Sequence, residues 1–303
     1  MEADILKSQF KIKHLPQLLV DTYKVWINDD PWRLSAVVAY YAVLSLPGLL
    51  VIILNTVGSI WGYEIVQGEL SKEIGLAMGK DTAEAIEGMM AETLNEDKNL
   101  ISTIIGIATI LFGATGVFYQ LQISLNKIWE VKQNDAFSFK KIISDRARSF
   151  AFILGIGFLL LISFVLTAVI SALTDYIERL FPDIVLYLAY ILDFLISVLI
   201  ISTLFAMMFR YMPDVRVRWK TVWVGAILTA VLFVFGKFLL GIYFGQSDPG
   251  STYGTAGSIV LVLLWVSYSC LIFFFGAEFT KVYALKYGHF KSNKTEKLLG
   301  NKT

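Results

Sequence analysis

The chain has 303 residues, of which 56% are hydrophobic and 17% charged, and a formal net charge of +1; its mean hydropathy is +0.64. Soluble domains carry roughly 25% charged residues, so this composition excludes an ordinary one. The lone cysteine, Cys270, excludes an intramolecular disulfide and says nothing of redox compartment.

Six apolar stretches, at 34–60, 100–123, 150–173, 184–209, 221–244 and 255–283, each meet the ~20-residue need of a helix crossing ~30 Å of hydrocarbon. They predict an all-α fold, an integral membrane bundle of six transmembrane helices over residues 34–287. The basic residues alternate in side. Lys7, Lys11, Lys13, Lys24 and Arg33 precede the first span, and Lys127, Lys132, Lys140, Lys141, Arg146 and Arg148 follow the second. Arg210, Arg216, Arg218 and Lys220 follow the fourth, and Lys281, Lys286, Lys291, Lys294, Lys297 and Lys302 close the chain. The intervening loops hold few, so the pattern predicts cytoplasmic N- and C-termini.

Residues 1–33 mix charges with short apolar clusters, which predicts no cleavable leader and a first span that serves as its own signal. Within them Pro16 opens 17–27, where Leu18, Leu19, Thr22 and Trp26 share one helical stripe. That is an amphipathic helix, either lying in the cytoplasmic interface or docked on the bundle end. In the first span Tyr40 and Tyr41 precede Ser45, Leu46, Pro47 and Gly48, so a helix break is expected near mid-membrane. Broken helices build transport sites, although plain kinks share the signature.

The loop 61–99 is acidic from Glu64 to Asp97. Asp81 and Glu84 make a capping-box-like start, with Ala85, Ile86, Met89, Met90, Thr93 and Leu94 at helical spacing behind it. A helical, extracytoplasmic hat is expected, with a second helix near 64–76; its acidity is either solvation or a lure for cations. The second span carries Gly113, Ala114, Thr115 and Gly116, then Tyr119, Gln120, Gln122, Asn126 and Trp129. Small residues let helices approach closely, and the amides call for a polar interior or a cytoplasmic vestibule. The basic run 140–150 is a positive-inside connector that could hold anionic headgroups.

Ionisable residues at membrane depth are costly and call for partners. Asp193 and Lys237 lie about nine and seven residues below the outer ends of the fourth and fifth spans, at depths of ~13 and ~10 Å. Consecutive spans are usually neighbours, so the two can pair; otherwise Lys237 snorkels alone and Asp193 faces a wet cavity. Glu278 sits one turn before Lys281 near the inner end of the last span, as a surface pair or as part of an inner gate. The basic tail 288–303 reads as disordered and membrane-proximal.

An enzyme is not expected. The two histidines, His14 and His289, stand at opposite ends of the chain, without a ligand-spaced carboxylate cluster, a phosphate-cradling loop or a nucleophile triad. No cofactor or metal is called for. Topology accounts for the basic residues, so no nucleic-acid partner is expected and membrane lipids are.

The run Ala39-Tyr40-Tyr41-Ala42 to Ser45-Leu46-Pro47, then Phe112-Gly113-Ala114-Thr115-Gly116 and Leu125-Asn126-Lys127-Ile128-Trp129, resembles the YihY/virulence factor BrkB family of bacterial membrane proteins. So do Tyr211-Met212-Pro213-Asp214, Tyr253-Gly254-Thr255-Ala256-Gly257-Ser258, Leu264-Trp265 and Gly276-Ala277-Glu278-Phe279. The first span departs from the family in lacking an aromatic residue before Pro47 and in placing Gly48 after it. The resemblance implies a multi-pass protein of the bacterial inner membrane and a transporter or lipid and amphiphile translocator. The alternatives are a non-transporting scaffold for envelope partners and, from a label the family once carried, a membrane-bound ribonuclease. On the transport reading the pathway runs between the first, second, fourth and fifth spans. Its residues are Tyr40, Tyr41, Pro47, Gln120, Gln122 and Asn126, with Asp193 and Lys237 as an outer charge gate and Glu278 at the inner mouth. Oligomeric state is left open.

Overall fold

The computed structural model describes residues 12–78, 83–84, 87–88, 116–131, 182–247, 257–287 and 290. Among these, all regular structure is helical. A short 3₁₀ turn (Ile12–His14) leads into α1 (Leu15–Asn28), followed by α2 (Pro31–Trp61) and α3 (Tyr63–Met78). Helical residues 116–128, here α4, come next. α5 (Pro182–Tyr211), α6 (Trp219–Ser247) and α7 (Gly257–Tyr287) complete the set. Three helices are long and apolar enough to cross a membrane among the described residues: Phe194–Tyr211, Trp219–Tyr243 and Ile259–Tyr287. The expected second and third spans, the 81–94 helix and the basic tail fall largely or wholly outside the described residues. α3 does occupy the second helical position expected in the acidic loop.

Proline and glycine set the helix boundaries. Pro16 and Pro31 stand in the first turns of α1 and α2, where a missing N–H is no loss. Gly62, at φ 96°, turns the chain from α2 into α3, a backbone state glycine reaches without penalty. One expectation fails here: α2 continues as a helix through Pro47 and Gly48 to Trp61. Pro47 removes a single ladder hydrogen bond, and a long apolar helix absorbs that loss without breaking.

α7 is the spine, packing against α1, α2 and α6, while α5 packs on α6. α6 and α7 fit through a reciprocal pair of contacts. A Cβ on Gly225 would overlap the Thr280 hydroxyl, and one on Gly276 would overlap that of Thr229. Each threonine hydroxyl donates to the carbonyl four residues earlier in its own helix, Thr229 to Gly225 and Thr280 to Gly276, both at 2.7 Å. Lipid tails are as apolar as side chains, so close van der Waals approach of this kind holds membrane helices together. Beside it Phe209 and Phe273 approach to 5.1 Å between ring centroids, with Phe205 tilted against Phe273 and edge-on to Phe233. α4 enters the same core through Leu125, Ile128 and Trp129.

α1 docks on the end of α7, with Leu18 and Val25 buried against Phe279 and Val282. Of the stripe expected to be amphipathic, Leu18 and Thr22 are buried, and Asp21 and Val25 are buried with them. The docked alternative therefore holds for this face.

Candidate functional site

Glu278 and Lys281 stand one turn apart on α7, and both are sealed: Glu278 is 1% and Lys281 0% exposed. Two connections bring further carboxylates to them. Asp29 caps the end of α1, and Glu130 follows the last turn of α4. The Lys281 Nζ lies 3.1 Å from Glu130 Oε1, 3.6 Å from Glu278 Oε2 and 4.0 Å from Asp29 Oδ2. One ammonium thus faces three carboxylates. These are ion contacts between side chains closed off from solvent on the α7 side. The Glu130 side chain, 22% exposed, is the most open wall.

The backbone around the cluster is unusual in the same place. Among the described residues the two non-glycine residues with positive φ are Asp30, at 60°, and Glu130, at 55°. The Glu130 N–H donates to the Lys127 carbonyl at 3.1 Å and the Val131 N–H to the Asn126 carbonyl at 2.9 Å. This is a Schellman ending, whose left-handed position usually belongs to glycine. A glutamate there costs of order 1 kcal/mol, and what it supplies is the carboxylate on Lys281. Lys127, one turn earlier, donates to the Asp29 carbonyl at 3.0 Å and fixes the α1–α2 turn from the other side.

A second latch, of amides on a carboxylate, adjoins the first. Asn126 Nδ2 donates to Asp214 Oδ2 at 2.9 Å, and the Asp214 backbone N–H donates back to Asn126 Oδ1 at 2.7 Å. Gln122 Nε2 donates to the other oxygen, Oδ1, at 3.5 Å. Of the amides expected to line a polar interior or a cytoplasmic vestibule, Gln122 and Asn126 therefore hold the α5–α6 connection. Lys286 pairs with Asp21, and the Tyr287 hydroxyl meets His14 Nδ1 at 3.0 Å. Every described element except α3 reaches this polar end, through a side chain or through its adjoining turn.

The other residues singled out in the sequence are placed elsewhere. Tyr40 is exposed, edge-on to Tyr41, and Tyr41 packs over Gly116. Lys237 is exposed on α6 between Phe235 and Phe238, which are exposed too. The side chains of Asp193 and Pro47 lie outside the described residues, so no Asp193–Lys237 pair is described. Gln120 is half-buried. Asp29, Glu130 and Asp214 were not foreseen as site residues; acids at helix ends beside a span are a visible signal, but only folding shows which base they meet.

The family model described as Virulence factor BrkB matches residues 22–298. Curated relatives carry the name UPF0761 membrane protein. The one from Vibrio vulnificus is 24% identical over 263 residues, 84% of this chain and 78% of the relative. The one from Alteromonas mediterranea is 23% identical over 291 residues, 92% of each. The relative from Delftia acidovorans is 27% identical over 180 residues, 58% of this chain and only 40% of its own length. No solved structure matches.

Proposed function

The chain belongs to the virulence factor BrkB family, and from that premise we propose that it is a membrane translocator of amphiphiles or small charged solutes, gated by the cluster of Asp29, Glu130, Glu278 and Lys281. The observation that supports a gate is the make-up of the cluster: a sealed ammonium within 4.0 Å of three carboxylates drawn from three separate segments of the chain. A purely structural core gains nothing from such a group. Replacing buried ion pairs with apolar residues is often neutral or stabilising by about 1–4 kcal/mol. Ionisable residues inside a membrane protein are expensive, and they mark function by default.

The location supports the same reading. The cluster joins the α1–α2 turn, the end of α4 and the last turns of α7, so breaking it frees three segments together. Two backbone positions held in a sparsely populated region stand at the joint, and strain of that sort accompanies switching segments. The half-open Glu130 edge is the side from which water or a substrate charge would compete for Lys281.

The test is flux in proteoliposomes, for lipid scrambling and for charged solutes, with wild type, Glu278→Gln, Lys281→Met and the double variant. Single variants are expected to change flux at least tenfold while folded yield is held comparable, and the double to move back toward wild type. Equal rates in all four proteins would sink the gate, and no flux in any would sink translocation and favour a scaffold.

A further inference from the structure

α1 has two apolar faces, and only one is docked. Opposite Leu18 and Val25, the residues Val20, Tyr23 and Ile27 recur at three and four positions and are 50%, 55% and 39% exposed. Trp32, in the first turn of α2, is 56% exposed and its ring lies 5.3 Å from that of Trp26. From Trp32 the exposed line continues along α2 through Ala36, Tyr40 and Leu44, each four residues on. It is one unbroken apolar strip that starts on α1 and runs down the outside of α2.

We propose that α1 lies half-embedded in the membrane leaflet at its end of the bundle, with Val20, Tyr23, Ile27 and Trp32 at the boundary between headgroups and acyl chains. Depth supports this occupant. α1 lies alongside the last turns of α7, since His14 meets Tyr287, Asp21 meets Lys286 and Trp26 stands edge-on to Phe275 at 5.8 Å. Those turns lie toward one end of the apolar stretch Ile259–Tyr287, so α1 sits at the end of a helix long and apolar enough to span. Continuity supports it too, because the bilayer that covers Tyr40 and Leu44 on an apolar helix reaches Trp32 and then α1 without a gap. Tyrosine and tryptophan favour this boundary, and exposed Lys24 flanks the strip where phosphates lie. The inference does not depend on translocation.

The experiment uses the full chain in vesicles of phosphatidylethanolamine and phosphatidylglycerol, in a Cys270→Ala background. Nitroxide labels are placed through Val20→Cys, Tyr23→Cys and Ile27→Cys on the strip, and through Gln17→Cys and Asn28→Cys on the exposed polar flank. All five sites are at the surface, so folding should survive labelling. The ratio of oxygen to nickel-chelate accessibility is expected to be several-fold higher on the strip, corresponding to ~5–10 Å of immersion. Equal nickel access at all five sites overturns the proposal, because the strip then faces water. Exclusion of both reagents with spin–spin broadening overturns it as well, because a second copy then covers the strip.

Discussion

Lys281 is the residue on which the polar end depends. It is the ammonium that meets Asp29, Glu130 and Glu278, and removing one partner of a buried ionic group costs about 3–5 kcal/mol because the others are left uncompensated. Lys281→Met is therefore expected to lower the thermal midpoint in detergent markedly. Lys281→Met with Glu278→Gln should recover much of that loss, and equal midpoints for the single and double variants would contradict the cluster. Glu130 carries a separate signature in its backbone. Glu130→Gly and Glu130→Ala both delete the carboxylate, but only glycine is at ease at φ 55°. Glycine is expected to be the more stable of the two by about 1 kcal/mol, read from unfolding midpoints. Neither role was visible in the sequence. Glu278 and Lys281 were legible as a pair, yet i, i+3 spacing looks the same on a wet surface as in a sealed joint. Burial decides between them, and burial comes from α1 and α4, which lie far away in the chain.

At the scale of elements, apolar length announces helices, but the seam of Gly225, Thr229, Gly276 and Thr280 between α6 and α7 is not announced by the sequence. Gly276 lies in one of the stretches that carry the family resemblance, and its role is plain once α6 is beside it: a Cβ there would overlap Thr229. Gly276→Ala is expected to cut folded yield sharply, and combining it with Thr229→Gly should restore part of it, as judged by monodisperse protein after detergent extraction. No rescue would mean that the glycine serves some other contact. The helix α2 shows where sequence reading overreached. Pro47 and Gly48 announce a break, but local propensity is a weak prior in a long apolar helix, and α2 runs on. On α1 the reverse happened. Its helical stripe was legible, but two apolar faces on one short helix could not be ranked without seeing α7 take one of them.

Across the whole molecule, the polar end gathers the start of α2, the α5–α6 connection and the end of α7, while Gly62 and the start of α3 stand at the far end of α2. In a Cys270→Ala background, cysteines at Lys13 and Arg218 are expected to react with an impermeant thiol reagent from one side of the membrane, and a cysteine at Glu64 from the other. Labelling of all three from the same side would refute this arrangement. The alternation of lysine and arginine along the sequence predicts such a division, since each loop carries its own charge signature, whereas the meeting of distant loops at one joint leaves no local mark. Sequence order then lends the cluster a temporal meaning. Asp29 and Glu130 are made before Glu278 and Lys281. Until α7 emerges, the two acids stand without the ammonium of Lys281. α7 brings that ammonium, so closing the joint doubles as a chemical receipt for a docked α7, and a chain stalled before position 281 cannot issue one.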